Sequence, residues 1–311
     1  MGKNAHGMRT WLALVTVYIV WGSTYLGIRI AIETLPSLLS GGLRFVTAAL
    51  ILGAVLLLRK GREPFRMTRR ELGGAALVGL LLLTGGNGMV AVAERHIGSG
   101  LAALLVASVP LWLVMLRTVF RDRPQALTLA GVLVGFVGVA GISLGGGTGS
   151  DPVGVVIILV ASLSWSIGSF LSGRIPMPRD PFAASTVEMA VGGVGLLIIG
   201  SGLGERLDLA AVSGRSWAAL AYLIVVGSLI GFTSYVWLLG NAPISLVSTY
   251  AYVNPVVAVL LGVAVVGETV TAGMLGAGAL IVIGVALVVS TERRGRAARA
   301  VLEAQAEAAP S

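Results

Sequence analysis

The sequence predicts an all-α integral membrane protein, ten transmembrane helices arranged as two inverted five-helix repeats. Three observations predict it. First, 56% of the 311 residues are hydrophobic and only 12% charged, with a mean hydropathy of +0.94. Soluble domains carry roughly 25% charged residues, and no water-soluble fold hides this much apolar surface. Second, ten stretches approach the roughly 20 apolar residues that a bilayer crossing needs. Third, the last five stretches repeat the first five. Residues 71–144 slide forward by 145 positions without a gap, which puts Pro110 on Pro255, Gly86 on Gly231, Leu101 on Leu246, Leu116 on Leu261 and Gly131 on Gly276. At a shift of 144, Trp21 falls on Trp165. An odd number of crossings per copy turns the second copy upside down.

The expected spans, in order, are 10–31, 37–58, 72–93, 97–118, 126–144, 153–173, 183–203, 216–238, 244–265 and 272–290. The first is not a cleaved signal peptide: it carries Trp21 and Tyr25, ends in Arg29 and Glu33, and lacks a small-residue cleavage site. Basic residues then set the direction. With a cytoplasmic N-terminus, the inside segments hold sixteen Lys and Arg, among them Arg59, Lys60, Arg62, Arg66, Arg69 and Arg70, while the outside loops hold three, Arg95, Arg206 and Arg215. Both termini are therefore expected in the cytoplasm. The units are 1–147, the first repeat; 148–291, the inverted second; and 292–311, a cytoplasmic tail. Gly145–Gly149 joins the halves, too short for a phosphate loop and without the Lys-Ser or Lys-Thr that would follow one. The Ala-, Arg- and Glu-rich tail reads as a solvated, partly disordered end or as a short surface helix.

Several function classes drop out. Without cysteine there is no disulfide, thiolate metal site or thiol nucleophile. The net charge of +8 reflects loop lysines and arginines, so no nucleic-acid partner is expected. His6 and His96 are the only histidines, and neither a helical His-Glu-x-x-His nor a Gly-x-Ser-x-Gly elbow occurs. No metal, cofactor or enzymatic activity is expected.

The residues that stand out lie inside spans. Pro110 and Pro255 are mid-span; proline lacks an amide hydrogen, which frees the carbonyls of Val106 and Ala251. Such groups must face protein, ligand or a wet cavity, so the pair reads as hinges or as static kinks. Arg44 is the most costly residue. About eight residues past Pro36, it lies about 12 Å deep at 1.5 Å per residue, against a half-thickness of about 15 Å. Its counterpart is Glu188, at similar depth in the seventh span. A charge at mid-depth marks a functional site by default. The two read as an ion pair, as holders of a substrate's carboxylate and amine, with Glu188 as proton-coupling candidate, or as a purely structural pair; Arg44 alone also reads as snorkelling outward. Hydroxyls and aromatics cluster in the first span (Trp21, Ser23, Thr24, Tyr25), the sixth (Ser162, Ser164, Trp165, Ser166, Ser169), the eighth (Ser228, Ser234, Tyr235, Trp237) and the ninth (Ser248, Thr249, Tyr250, Tyr252, Asn254). Tryptophan usually anchors at interfaces, and Trp21 and Trp165 lie near mid-span. The expected substrate cavity comprises Trp21, Tyr25, Arg44, Asn87, Trp165, Glu188, Tyr250 and Asn254. Gly131, Gly135 and Gly138 in the fifth span, with Gly276 and Gly278 in the tenth, let helices approach closely, at the periphery or in a homodimer seam.

Residues 254–287, NPVVAVLLGVAVVGETVTAGMLGAGALIVIGVAL, resemble the last two spans of the drug/metabolite transporter superfamily, EamA branch. The resemblance rests on Asn254-Pro255, Gly267-Glu268-Thr269, Gly276 and Gly284-Val285. The first half adds Trp21-Gly22-Ser23, Arg44-Phe45, Arg95-His96-Ile97 and Pro110-Leu111. One departure stands out: Glu268 aligns with Arg123, beside Asp122, where the family's first copy usually has the same glutamate. The resemblance implies a ten-helix inner-membrane transporter with a central cavity and no ATP-binding domain, moving small metabolites such as amino acids, nucleobases or toxic analogues. The resulting expectation is a secondary transporter working by alternating access in a bacterial inner membrane, export favoured over import. The rivals are a membrane protein that handles lipid head groups and a non-transporting scaffold; a scaffold needs neither mid-depth charges nor cavity aromatics.

Overall fold

A computed structural model describes residues 2–120, 126–144 and 151–307. Its main helices are α1 (Gly2–Ala31), α2 (Ser37–Lys60), α3 (Arg69–Ala93), α4 (Ser99–Val119), α5 (Ala126–Leu144), α6 (Pro152–Ser172), α7 (Pro181–Gly202), α8 (Gly214–Asn241), α9 (Tyr250–Val266, preceded by the helical turn Ile244–Val247) and α10 (Ala272–Glu307). No strand occurs among the described residues. Seven of the helices, α1 to α4 and α6 to α8, are long and apolar enough to cross a membrane; α5, α9 and α10 contribute the shorter apolar stretches Ala126–Gly138, Val253–Val266 and Ala272–Val288.

Helix starts follow from side chains that take up the free N–H groups of a first turn. Thr68 opens α3 with a reciprocal capping box: its Oγ1 accepts from the Glu71 N–H at 3.2 Å, and Glu71 Oε2 accepts from the Thr68 N–H at 2.6 Å. Ser213, 145 positions later, opens α8 by accepting from the Ser216 N–H at 3.1 Å. Asp151 and Asp180 cap α6 and α7. Two starts are capped from elsewhere in the chain: Glu205 accepts from the N–H groups of Leu38 and Leu39 at α2, and Glu268 from those of Ser99 and Gly100 at α4. Gly267 ends α9 at φ +69°, a conformation only glycine adopts without strain, and so aims Glu268 back at α4.

The helices pair in a regular pattern. The α2 and α7 helices lie face to face, as do α5 and α10, while α1 packs on α8 and α9, and α6 on α3 and α4. Glycine allows the close crossings. A Cβ on Gly131 would lie 2.8 Å from the Gly284 carbonyl, and one on Gly138 would lie 2.7 Å from that of Ala277. The small-residue stripe of α5 is thus used within the chain, against α10, whereas Gly276 faces open space. Both α3 and α8 contain a wide π-helical stretch, Leu80–Gly88 and Leu223–Phe232.

Of the two readings of the tail, the structure has the helical one, since α10 runs on to Glu307; Ala, Arg, Leu and Glu are good helix formers, and a helix already nucleated needs no new start. The two prolines sit differently. Pro110 lies in the first turn after a break at Ala107–Ser108, where its missing N–H costs nothing, whereas Pro255 lies inside the continuous α9, whose break comes earlier, at Ser248–Thr249. The linker Gly145–Gly149 and the Asp122–Arg123 pair lie outside the described residues.

Candidate functional site

A cavity of about 50 Å³ lies where α1, α3, α4, α6 and α9 meet. Its wall is Trp21, Thr24, Tyr25 and Ile28 from α1, Gly86, Asn87 and Val90 from α3, Val106 from α4, Ala161, Ser162 and Trp165 from α6, and Tyr250 from α9. One end is an aromatic cluster. The Trp21 ring meets Trp165 edge-on at 5.3 Å and Tyr250 at 5.3 Å, and Tyr235 lies tilted by 42° against Trp21 at 4.7 Å. Edge-on packing places positive ring edges on negative ring faces. Trp165 Nε1 donates to the Tyr235 hydroxyl at 3.1 Å, which is also 2.6 Å from Ser169 Oγ. The indole N–H of Trp165 is therefore satisfied inside the protein.

Glycine seats both tryptophans. A Cβ on Gly86 would come within 2.8 Å of the Trp165 ring, and one on Gly231 within 2.9 Å of Trp21 Nε1. Gly86 and Gly231 match at the 145 shift, and Trp21 and Trp165 at 144. Two of the few identities between the halves are therefore two sides of one contact, made twice. The aliphatic wall hydroxyls are satisfied within their own helices: Thr24 donates to Trp21 O at 2.8 Å and Ser162 to Ile158 O at 2.8 Å.

Arg44 lies immediately behind the wall. It is only 3% exposed; its Nε donates to Ser228 Oγ at 2.8 Å, its Nη1 to Asn87 Oδ1 at 3.3 Å, and its guanidinium lies 4.6 Å from the Phe45 ring centroid. Burial within the protein rules out snorkelling. It also makes no ion pair with Glu188 among the described residues. Glu188 is 1% exposed, outside the cavity wall, with Oε2 unpartnered and Tyr235 within electrostatic reach. The two do not meet: the guanidinium is taken up by Asn87 and Ser228, which lie in the π-helical stretches of α3 and α8. Asn254 is off the wall as well: its amide is oriented by the carbonyls of Tyr250 and Tyr18, at 3.2 and 3.1 Å, tying α9 to α1. Of the eight expected residues, then, Trp21, Tyr25, Asn87, Trp165 and Tyr250 line one space, Arg44 backs it, and Glu188 and Asn254 stand apart. Val90 and Ile28 belong to the wall without any chemical signature in the sequence, whereas Val106 is the residue whose carbonyl Pro110 leaves free. Glu94, fully buried at the end of α3, reads in the sequence as part of the Arg95-His96 loop.

Outside the spans, two helix-capping acids are held below the ordinary carboxylate range. For Asp151 the cause is the Val153 N–H, at 2.9 Å, and then His96, at 2.7 Å. For Asp180, partial burial alone would raise it; Lys60, at 2.9 Å, and the N–H groups of Ala183 and Phe182 more than reverse that. No cluster of metal-ligating side chains occurs among the described residues.

The unequal settings of the prolines predict unequal effects. Pro110→Ala restores an N–H where a break already exists and should leave transport near wild type, while Pro255→Ala straightens α9 beneath Tyr250 and should slow it several-fold. Initial uptake rates, normalised to protein in the membrane, test this, and equal losses in both would refute it.

Known proteins place the chain. The model of the EamA-like transporter family matches twice, over residues 8–144 and again over 152–290. The chain is 42% identical over 261 residues to the uncharacterized inner membrane transporter YedA of Escherichia coli K12, covering 83% of each. It is 27% identical to a probable amino-acid metabolite efflux pump of Salmonella typhimurium, over 93% of this chain and 97% of that one. A crystal structure 20% identical in sequence shares the fold, with a TM-score of 0.66 over 92% of this chain and 98% of that one. Both halves match separately, so the chain belongs to the EamA-like transporter family and is a multi-pass membrane transporter.

Proposed function

We propose that the chain is a secondary transporter that moves a small amphipathic metabolite (an amino acid, nucleobase or drug-like compound) outward across the inner membrane by alternating access between two inverted five-helix halves. The observation that carries this reading is the cavity, whose wall comes from both halves and whose two tryptophans are seated by matched glycines. The symmetric helix pairing, with α1 on α8 and α9 as α6 is on α3 and α4, supports the inverted repeat. So does the family model's double match. The charge asymmetry of the loops favours cytoplasmic termini.

The cavity volume, about 50 Å³, suits a water or two and not a metabolite, since ligand pockets run to roughly 300–1,000 Å³. We read this as the contracted form. Substrate enters when the halves part, and aromatic faces then supply the apolar wall, with Asn87 and, behind it, Arg44 receiving a carboxylate or other anionic group. The experiment is flux into liposomes holding the purified protein, screened with labelled amino acids, nucleobases and lipophilic cations. At least one class should cross, and Trp21→Ala or Trp165→Ala should slow it about tenfold, the equivalent of about 1.4 kcal/mol. Flux by none of the classes, or unchanged flux in both variants, would favour the scaffold.

A further inference from the structure

Glu94 is 0% exposed, and neither of its carboxylate oxygens has a hydrogen-bond partner. A carboxylate taken out of water in this way, without donors, is far costlier than a carboxylic acid. Its place makes the burial informative. Glu94 follows Val90 by four residues, and Asn87 and Val90 both line the cavity, so it continues the cavity-facing stripe of α3 toward the α3–α4 turn. From α1, Tyr25 and Arg29 face it: Tyr25 lines the cavity and lies within electrostatic reach, and Arg29 Nη1 donates to the main-chain oxygen of Glu94 rather than to its carboxylate. From the α9–α10 turn comes Glu268, whose oxygens accept from Ser99 N at 2.7 Å, Ser99 Oγ at 2.7 Å and Gly100 N at 3.0 Å. The start of α6 brings Asp151, paired with His96. The α2 helix brings only Arg44, bonded deeper to Asn87 and Ser228, with Arg59 and Lys60 at its opposite end. One arginine thus faces two acids, of which Glu268 is already saturated and Glu94 is not.

We propose that Glu94 is the proton-binding site of this transporter, coupling export of the metabolite to entry of a proton. This rests on the transporter reading above, in whose topology the α3–α4 and α9–α10 turns face outward. Arg29 and Glu268 are each half-buried and give the site a polar edge toward that side. When the outer end opens, hydronium at the mouth transfers its proton to a Glu94 oxygen and leaves as water. The neutral acid is then buried as the outer end closes. When the inner end opens, the acid returns the proton to cavity water, and Arg29 offsets the charge left behind. Glu188 lacks this setting: it is off the cavity wall, and no cation bonds or pairs with it among the described residues.

The test uses the full chain in liposomes with whichever labelled compound scores in the screen above, and compares Glu94→Gln, Glu94→Asp and Glu188→Gln with wild type. Gln matches the shape of the protonated acid, so folding should be kept. Glu94→Gln should retain substrate exchange at equal pH on both sides and lose accumulation driven by a pH gradient. Glu94→Asp should recover part of that accumulation, and Glu188→Gln should keep it. A readout needing no substrate is the pH titration of intrinsic tryptophan fluorescence, to which Trp21 and Trp165 report; the wild-type transition should vanish in Glu94→Gln. The proposal is overturned if wild type ignores the pH gradient, if Glu94→Gln still accumulates substrate, if exchange is lost in Glu94→Gln and Glu94→Asp alike, or if the fluorescence transition survives in Glu94→Gln. If no compound scores, the transporter reading fails on its own, and the fluorescence titration still decides whether Glu94 binds the proton.

Discussion

An Arg44→Met protein should fold and insert like wild type while losing transport of carboxylate substrates ten- to hundredfold. Arg44 is buried with two neutral partners, Ser228 and Asn87, and a ring face, and it bonds to no carboxylate among the described residues. A buried cation held only by neutral groups is under-compensated, and an anion arriving at Asn87 completes it. A hydrogen bond to a charged group contributes about 1.5–3 kcal/mol, which converts to roughly ten- to hundredfold in rate or affinity. Folding should survive because an apolar side chain of similar length often replaces a buried charge with neutral or favourable effect. The measurements are thermal stability in detergent and flux in liposomes, read separately. Arg44→Lys keeps the charge but not the planar fork that spans Ser228 and Asn87, and should recover only part of the flux. A substrate without an anionic group should be affected least. If Arg44→Met loses stability and flux together, and Arg44→Lys restores both, the arginine is a structural tie between α2, α3 and α8.

Gly284→Ala should loosen the α5–α10 crossing and destabilise the fold by a single methyl group. Its Cβ would lie 2.6 Å from both Gly131 O and Gly135 Cα, backbone atoms of α5 that cannot swing away. The α5–α10 pair must separate to admit it, and overpacking of this kind costs about 1–3 kcal/mol. Gly276→Ala is the matched control: it lies in the same helix, nothing is within 4 Å of its Cβ, and alanine is favoured over glycine in a helix by about 1 kcal/mol. Thermal unfolding in detergent should therefore fall for Gly284→Ala and hold or rise for Gly276→Ala. Equal behaviour of the two would mean that the α5–α10 crossing is looser than its geometry implies.

Much of the candidate site was legible because tryptophan normally anchors at the interfaces and charges are expensive at mid-depth. Trp21 and Trp165 stood out by lying away from the interfaces, Tyr25 and Tyr250 by clustering with hydroxyls in a few spans, and Asn87 by its place along the third span, and they share one cavity. Arg44 was singled out by the same cost, but its partners were not. Depth along a helix axis, which residue counting supplies, placed it level with Glu188. Rotation about the axis, which decides who meets whom, is not supplied by residue counting, and the π-helical stretches that carry Asn87 and Ser228 leave no hydropathy signal. Glu94 was missed for a related reason. A hydropathy window ends a span where charge begins, and Glu94-Arg95-His96 reads as a loop, although Glu94 is as buried as any core residue.

The sequence alone determined the helical membrane class, the order and approximate bounds of the helices, and the family, because burial in lipid forces long apolar runs and ties basic residues to one side. It also held the Gly86–Trp165 and Gly231–Trp21 contacts, as identities whose pairing it could not express. Tertiary structure alone decided that Arg44 answers Asn87 and Ser228, that Asn254 ties α9 to α1, that the two prolines sit in unlike settings, and that Glu94 lies sealed beside the cavity. These depend on how helices are rotated and crossed, and packing contacts between residues far apart in the chain set those angles.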